Sequence, residues 1–395
     1  MSLLAFAQTL PTAFSMGALP LIWRQHDYSL LEIGALQLLY LPWVLKVLWA
    51  PLVDRVGQSG RSLICLLLTG QWAITLICLA LAVLSPGSSA VPTFCAIFVL
   101  AIASATADNA GDALTIRLTP RENSERVSGW REAATLLAVA IGSGGGYLVA
   151  STYGWAAAVG MIACLSGTGV VAVLALREIT ILSSDQVATG TRAPGATLRG
   201  AFTRSGALWL FGIIALASAA NRVAGANPHI LLADMGLSAA QVGLVTGLVE
   251  PCMGMAGAAL AGFLSNRLGF QRLLPWAITT KGVTMLVLAA AQSVAAPAFL
   301  VLSLIVLMTF FFALIAASFG GLIMRWSRNG SEATDAAAFF TIAALVWLVL
   351  QPLAGLLADA VGYAGMFAVS GSFAFAAALL LPAMLARGMV YGSRS

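Results

Sequence analysis

The feature that most restricts the fold of this 395-residue chain is a series of twelve long apolar runs separated by short polar connections. About 20 consecutive apolar residues are enough for an α-helix to cross a bilayer. Only 9% of the residues are charged, whereas soluble domains carry about 25%. The sequence therefore predicts an all-α polytopic membrane protein with twelve transmembrane helices. The runs lie at residues 3–23, 31–51, 62–84, 91–114, 131–152, 155–176, 206–226, 239–264, 273–292, 297–323, 336–358 and 364–386.

The positions of the basic residues predict the orientation of these helices. Sixteen of the 20 lie in the connections that follow even-numbered runs or at the C-terminal end, and the opposite connections hold only Arg24. Basic loops stay on the cytoplasmic side, so both termini are predicted to be cytoplasmic. No basic stripe with interleaved aromatics is present, so nucleic acid is not an expected partner. The sixteen are Arg55, Arg61, Arg117, Arg121, Arg126, Arg131, Arg177, Arg192, Arg199, Arg204, Arg267, Arg272, Arg325, Arg328, Arg387 and Arg394.

The chain is predicted to consist of two similar halves around a polar segment. Residues 177–205 are the longest polar stretch and predict a cytoplasmic linker between six-helix bundles at 1–176 and 206–395. Two sequence echoes at an offset close to 210 residues support an internal, pseudo-symmetric repeat. They pair APLVDRVG (50–57) with AGFLSNRLG (261–269), and GYLVASTYGW (146–155) with GLLADAVGY (355–363).

Two groups of six helices, a basic central connection and a D-R-x-G loop after the second helix resemble the major facilitator superfamily. The superfamily loop reads roughly G-x-x-x-D-R-x-G-R. Here residues 50–61 lack the leading glycine, and the basic residue is displaced to Arg61. The resemblance implies the superfamily fold. It also implies that Asp54 and Arg55, with Arg117 below the fourth helix, latch the two halves on the cytoplasmic side.

A narrower resemblance concerns YLPWVLKVLWAPLVDR (40–55) and the region 104–146, which begins SATADNAGDALTIRL. Both are similar to bacterial muropeptide permeases and siderophore-uptake permeases. Siderophore permeases of this branch have about this length, whereas the muropeptide permeases usually run longer. The resemblance implies a monomeric secondary active transporter of the bacterial inner membrane that imports an anionic siderophore, with or without its metal, together with protons. Muropeptide import, efflux of a small organic ligand and a non-transporting sensor are the alternatives.

Three basic residues lie inside apolar runs, where an unpaired charge costs roughly 3 kcal/mol or more. One is Lys46. A helix rises about 1.5 Å per residue, so Lys46 lies at the same predicted depth as Asp108, and Asp112 is one turn away on the same face. The sequence predicts that Lys46 pairs with Asp108 or Asp112. Such a pair has three possible roles: a salt bridge between helices, proton coupling, or contact with the substrate.

The other two intramembrane cations are Arg222 and Lys281. By helix rise, Arg222 and Glu250 share a depth near the outer mouth. They predict an outer-cavity clamp or gate, with an interfacial, snorkelling arginine as the alternative. Lys281 has no clear partner at its depth, and it is predicted either to bind an anionic ligand in the cavity or to snorkel.

Polar and aromatic residues at helical spacing are candidates to line the substrate cavity. Aromatic rings there would stack on a planar aromatic ligand, and ordinary helix packing is the alternative. The additional candidates are Gln8, Thr12, Tyr40, Trp43, Trp347 and Gln351. The glycines at 142 and 144–146 predict a close helix crossing, and the resemblance implies that helices 5 and 8 meet.

The sequence predicts neither an enzyme nor a cofactor or metal site. The five cysteines lie in apolar runs without a C-x-x-C pair. The only histidines, His26 and His229, have no acid-and-nucleophile pattern nearby. The phosphate-binding motif G-x-x-x-x-G-K-[ST] is absent from the sequence, so ATP is not the expected energy source.

Overall fold

A computed structural model of the chain describes residues 1–26, 28, 30–84, 90–187, 197–203, 207–224, 227–327 and 330–392. These residues form helices and turns without a strand, which confirms the predicted all-α class. Residues 188–196 and 204–205 of the predicted linker lie outside the described residues. The same holds for Arg192, Arg204, Arg328 and Arg394, and for the side chains of His229 and Arg387.

The described residues form eighteen α-helices. They are α1 (Ser2–Ala13), α2 (Leu19–Gln25), α3 (Leu30–Ala35), α4 (Leu41–Leu45), α5 (Ala50–Val56), α6 (Gly60–Leu81), α7 (Ala90–Leu118), α8 (Ser124–Val139), α9 (Gly146–Tyr153), α10 (Trp155–Val187), α11 (Leu198–Thr203), α12 (Ala207–Arg222), α13 (Asn227–Asp234), α14 (Ala239–Leu244), α15 (Glu250–Leu268), α16 (Phe270–Ser293), α17 (Ala298–Trp326) and α18 (Glu332–Gly392). Wider π-helical turns join several of them, at Phe14–Ala18, Ala140–Gly145 and Val245–Val249. Tighter 3-10 turns occur at Leu36–Tyr40, Lys46–Leu48 and Arg121–Asn123.

Each predicted apolar run lies largely on these helices, several of which are broken or bent. Eight helices in the described part of the chain are long and apolar enough to cross a membrane, or up to nine if the bent pair Leu36–Leu48 and Ala50–Val56 is one span. α18 carries the last two runs and bends at Gly362, where φ is 71°. Gly154 ends α9 at a φ of 87°, 208 residues earlier. Only glycine adopts such angles without strain. The two helix breaks therefore lie at glycines whose separation is close to the offset of the predicted repeat.

The chain packs as two compact units. Unit 1 comprises Met1–Pro120, Ala134–Ala201 and Ser327–Thr341, and unit 2 comprises Arg121–Ala133, Phe202–Trp326 and Ile342–Ser395. Unit 1 has an apolar core from α1, α2, α6, α7 and α10. The core of unit 2 comes from α13, α16, α17 and α18. Two short segments therefore pack out of chain order: 121–133 with the later helices, and 327–341 with the earlier ones.

The fifth helical segment begins at Arg121, ten residues before the predicted start at residue 131. The early residues Ser124 and Glu125 are polar but buried within unit 2. Hydropathy identifies helices that face lipid, so it does not detect a polar turn that packs against protein. The sixth helix likewise continues to Val187, beyond the predicted end at residue 176.

Gly142 makes the expected close approach to another helix, and Gly129 makes a second one that the sequence pattern does not predict. A Cβ on Gly142 would lie 2.7 Å from the carbonyl oxygen of Leu10, so this π-helical turn packs on α1 in unit 1. In unit 2, a Cβ on Gly129 would lie 2.6 Å from the carbonyl oxygen of Ala258. The crossing of helices 5 and 8 is therefore made at Gly129 of α8, while Gly142 permits the contact with α1.

Candidate functional site

Lys46 lies at a break in the second transmembrane segment. Pro51 has no N–H for an intrahelical hydrogen bond, and its ring clashes with the preceding turn. The helical pieces Leu36–Leu48 and Ala50–Val56 accordingly meet at 55°. The carbonyl oxygen of Lys46 accepts a hydrogen bond from the side-chain amide of Asn109 at 3.1 Å. α7 thus supplies a donor to the irregular backbone and fixes the position of Lys46.

The Lys46 ammonium is 1% exposed and lies beside two carboxylates of α7. Its Nζ donates a hydrogen bond to Asp108 Oδ2 and lies 3.7 Å from Asp112 Oδ2. The two aspartates are one helical turn apart, so both can face the same ammonium. The structure therefore brings together the three charged residues that helix rise places at similar depth.

Two aromatic rings cover the same ammonium. Lys46 Nζ lies 4.4 Å from the ring centroid of Phe340 and 5.6 Å from that of Trp43. Cation–π attraction of this kind contributes about 2 kcal/mol when the cation is desolvated. The indole N–H of Trp43 is buried without a hydrogen-bond partner among the described residues.

The remaining cavity candidates of unit 1 differ in their surroundings. Gln8 is buried, and its amide nitrogen donates to the carbonyl oxygen of Ala107 at 3.0 Å, which joins α1 to α7. Thr12 is half-buried and lines a small pocket with Leu39. Tyr40 is half-buried. Gln8 is thus positioned as a contact between helices, whereas Thr12 and Tyr40 retain accessible surface.

Asp54 binds the first turn of α18. Its carboxylate accepts hydrogen bonds from the backbone N–H groups of Ala333 at 2.9 Å and Thr334 at 2.8 Å, and from the Thr334 hydroxyl at 2.6 Å. The first N–H groups of a helix lack intrahelical acceptors and carry partial positive charge, so a carboxylate is favourable there. Asp54 is 2% exposed, but the adjacent Arg55 is exposed. The two members of the D-R motif therefore have different environments.

Arg117 binds the same helix start. Its Nη1 donates to the carbonyl oxygen of Gly57 at 2.6 Å, while Nε and Nη2 lie 3.3 and 3.2 Å from Glu332 Oε2. Charge-assisted bonds from a guanidinium are stronger than neutral ones. Arg117 and Asp54 together tie the start of α18 to the loop after the second helix.

Unit 2 contains a corresponding ion pair. Arg325 Nη2 donates to Glu125 Oε2 at 2.9 Å, and Nε lies 2.5 Å from Oε1. Glu125, Glu332 and the role of Arg325 are not among the sites that the sequence predicts. The internal repeat carries the missing signal, because Arg325 follows Arg117 by 208 residues and Glu332 follows Glu125 by 207.

Replacing Arg325 by glutamine is expected to destabilise the protein by about 3 kcal/mol, because it leaves a buried carboxylate without its cation. The Glu125 side chain is 3% exposed. Thermal unfolding of the detergent-purified protein measures the effect. Adding Glu125→Gln should recover most of the loss, and Arg55→Gln is the matched surface control. Equal melting temperatures for Arg325→Gln and Arg55→Gln would contradict the expectation.

Lys281 in unit 2 is 3% exposed and binds the end of α12. Its Nζ donates to the backbone oxygen of Asn221 and, at 2.9 Å, to the Asn221 side-chain oxygen. No clear partner for Lys281 is predicted from the sequence. The carbonyl oxygen of Asn221 can accept its hydrogen bond because the last carbonyls of a helix lack intrahelical donors. Phe312 is shared, since its ring centroid lies 5.0 Å from Lys281 Nζ and 4.9 Å from Arg222 Cζ.

The other candidates of unit 2 lie on three helices. Arg222 is exposed at the end of α12, and Glu250 is buried at the start of α15. Arg222 is within electrostatic range of Glu132 on α8, and its pairing with Glu250 stays a prediction. Trp347 and Gln351 are half-buried on α18. The side-chain oxygen of Gln351 is buried without a hydrogen-bond partner among the described residues.

Comparison with known proteins relates the chain to membrane transporters. A relative from Escherichia coli strain K12, the anhydromuropeptide permease, is 29% identical over 283 residues, which cover 69% of this chain and 56% of the relative. The chain thus spans about half the length of the curated relatives it matches. The relative from Escherichia coli O157:H7 with the same name shows the same identity and coverage.

Solved structures match nearly the whole chain at low sequence identity, so they bear on the fold alone. The proton:xylose symporter XylE bound to 6-bromo-6-deoxy-D-glucose has a TM-score of 0.71 and 13% identity, covering 96% of this chain and 94% of its own. A bacterial homologue of the iron transporter ferroportin in the outward-facing state has a TM-score of 0.65 and 16% identity, covering 98% of both chains. The family model of the Major Facilitator Superfamily matches residues 1–224. This match extends over more than half of the sequence, and the chain therefore belongs to the Major Facilitator Superfamily of membrane transporters.

Proposed function

We propose that this transporter imports an anionic siderophore, with or without its metal, and that proton binding to the Lys46–Asp108–Asp112 group drives the import. The observation that carries the proposal is a buried ammonium beside two carboxylates within the membrane-spanning part. Charged groups there are costly, and they mark ion and proton pathways in membrane proteins. The halves at 1–176 and 206–395, joined by the linker at 177–205, would alternate in exposing a site near the bilayer midplane.

The charge balance of the group supports proton coupling. One ammonium faces two carboxylates, so the three side chains carry a net charge of −1 when all are ionised. Two carboxylates that share one cation are coupled, so a proton that neutralises one of them leaves the other to balance the ammonium. Asp112 lies 3.7 Å from Lys46 Nζ, beyond ordinary hydrogen-bonding distance. A proton can therefore enter the group while Lys46 keeps its bond to Asp108.

The aromatic side chains support a planar solute. Trp43 and Phe340 lie 6.5 Å apart by ring centroid, beside Lys46. Aromatic faces attract cations and stack on planar rings, so the ring systems of an aromatic chelator suit such surroundings. Tyr40 is half-buried and is proposed to contribute further surface in unit 1; Trp347, also half-buried, is proposed to do so in unit 2.

A muropeptide is the second candidate solute, and one specific observation favours it. The relative that is 29% identical over 283 residues is named an anhydromuropeptide permease. Muropeptides carry carboxylates and sugar rings, so the cations proposed for a siderophore would serve them as well. The solute must therefore be distinguished by experiment.

Uptake into proteoliposomes tests the proposal. We expect a labelled aromatic siderophore, metal-loaded or metal-free, to accumulate faster when an inward proton gradient is imposed. Anhydromuropeptide is offered to matched vesicles, and protein-free liposomes provide the background. Gradient-driven uptake of anhydromuropeptide alone would select the second candidate. Failure of a proton gradient to stimulate either solute would overturn proton-coupled import of both.

The start of α18 is proposed to form a cytoplasmic latch with Asp54, Arg55 and Arg117. Asp54 and Arg117 support the assignment through their bonds to Ala333, Thr334 and Glu332. Alternating access requires such contacts to break and re-form during each cycle. Arg55 is exposed, so we propose that it contributes surface charge rather than a bond that closes the latch.

A further inference from the structure

Two cations converge on one aromatic ring in unit 2. Arg222 Cζ and Lys281 Nζ lie 4.9 and 5.0 Å from the ring centroid of Phe312, so they are at most about 10 Å apart. Like charges this close repel one another, and more strongly where water is excluded. The fold holds them together, which is favourable when an anion lies between or beside them.

We infer that Lys281, Arg222 and Phe312 form an anion site in unit 2 that binds the carboxylate of a planar aromatic acid. The inference rests on the proposed function, because it assigns a place to the anionic group of the transported solute. It adds Phe312 as a ring shared by both cations and assigns the anionic group of the solute to unit 2.

The donor inventory favours a carboxylate. A lysine ammonium has three N–H donors; within the described part of the chain, the acceptors of Lys281 are the two oxygens of Asn221. One donor remains for an incoming oxygen. Arg222 is exposed, and its planar guanidinium matches the two oxygens of a carboxylate. Together the two residues offer a buried point charge and an accessible, directional fork.

The ring of Phe312 favours an aromatic ring attached to that carboxylate. Phe312 is half-buried, so part of its ring is accessible. Aromatic pairs in offset or edge-to-face geometry contribute about 1 kcal/mol beyond burial of their area. A flat aromatic acid can thus gain contacts that an aliphatic one lacks.

A purely structural role for Lys281 explains only part of this geometry. Its bond to the carbonyl oxygen of Asn221 caps the C-terminal end of α12, where the helix carries partial negative charge. Capping accounts for one cation, but it does not require Arg222 to share the ring of Phe312. A binding measurement on Arg222 variants therefore separates the two explanations.

Substitution of Glu132 is expected to change the affinity for the anion in the opposite direction. Its carboxylate is within electrostatic range of Arg222, so it competes with an external carboxylate for that guanidinium. Removing its charge should strengthen anion binding, whereas removing either cation should weaken it. A general loss of folding cannot produce both changes.

Equilibrium binding of radiolabelled 2-hydroxybenzoate to the detergent-purified full chain tests the inference. We expect Arg222→Gln and Lys281→Gln each to raise Kd about tenfold, which corresponds to the loss of one charge-assisted bond. Glu132→Gln should lower Kd several-fold. The neutral analogue 2-hydroxybenzamide should bind the unmodified chain at least tenfold more weakly. Each variant is first shown by its melting curve to be folded.

The inference is overturned if Arg222→Gln binds 2-hydroxybenzoate as the unmodified chain does, if the amide binds equally well, or if the unmodified chain binds neither. If Lys281→Gln does not fold, Arg222→Gln and Glu132→Gln still decide the matter. These measurements need no membrane or gradient. If the protein binds the acid but shows no gradient-driven uptake, the anion site stands and the proposed function fails. If it shows gradient-driven uptake but does not bind the acid, the proposed function stands and the anion site fails.

Discussion

Replacing Lys46 by methionine is expected to destabilise the protein by about 3–5 kcal/mol, because it leaves Asp108 and Asp112 without their shared cation. Lys46 is 1% exposed, and each aspartate is 17% exposed, so water replaces little of the lost interaction. For a chain of this length, a loss of 3 kcal/mol lowers the melting temperature by about 4 °C. Thermal unfolding of the purified protein in detergent measures the change.

The double variant Lys46→Met with Asp108→Asn separates stability from coupling. Neutralising Lys46 and Asp108 leaves one carboxylate without its cation, Asp112, instead of two, so part of the melting temperature should return. Gradient-driven accumulation should stay lost, while exchange of labelled for unlabelled solute continues, because exchange requires no net proton movement. Asp112→Asn alone tests the more distant carboxylate, and gradient-driven uptake should fall in this variant as well, because we propose that the proton enters there. Full gradient-driven uptake by the double variant would refute the coupling role of this group.

The Lys46 group could be predicted from the sequence because the depth of each member in the membrane can be estimated from its position in the helix. Helix rise gives the distance of Lys46 and Asp108 from the cytoplasmic loops, and a four-residue spacing places Asp112 on the same face. The aromatic cover could not be found in this way, because Phe340 lies 294 residues from Lys46 in the chain. Phe340 contacts Lys46 because segment 327–341 packs in unit 1, although the residues before and after it belong to unit 2. The order of the segments in the chain does not reveal this packing.

A second group of contacts could not be predicted from the sequence because one of the two partners is a backbone group. Lys281 binds a helix-end carbonyl at Asn221, and Asp54 binds the N–H groups of Ala333 and Thr334. Every residue except proline carries these backbone groups, so no residue type in the sequence marks them as partners. Hydropathy predicts the start of the fifth helix at residue 131, ten residues too late. The first turn includes Glu125, which is polar and yet buried against protein.

Asp54→Ala is expected to loosen the start of α18, whereas Arg55→Gln leaves it unchanged. The substitution removes three hydrogen bonds to Ala333 and Thr334 together with a negative charge at a helix N-terminus. Losing such a cap costs about 2 kcal/mol, which corresponds to a roughly 30-fold larger population in which this helix start is undocked. Arg55 is the matched neighbour, because it is charged and exposed.

Hydrogen–deuterium exchange of the peptide spanning residues 330–341 measures this population directly, since the amides of Ala333 and Thr334 exchange when their acceptor leaves. We expect their exchange to accelerate about 30-fold in Asp54→Ala and to match the unmodified protein in Arg55→Gln. Asp54→Asn should fall between them, because one oxygen acceptor remains. Equal acceleration in Asp54→Ala and Arg55→Gln would mean that any substitution in this loop loosens the helix start, whether or not it removes the carboxylate. No acceleration in Asp54→Ala would mean that Arg117 and Glu332 hold it without help from the carboxylate, and either result would remove Asp54 from the latch.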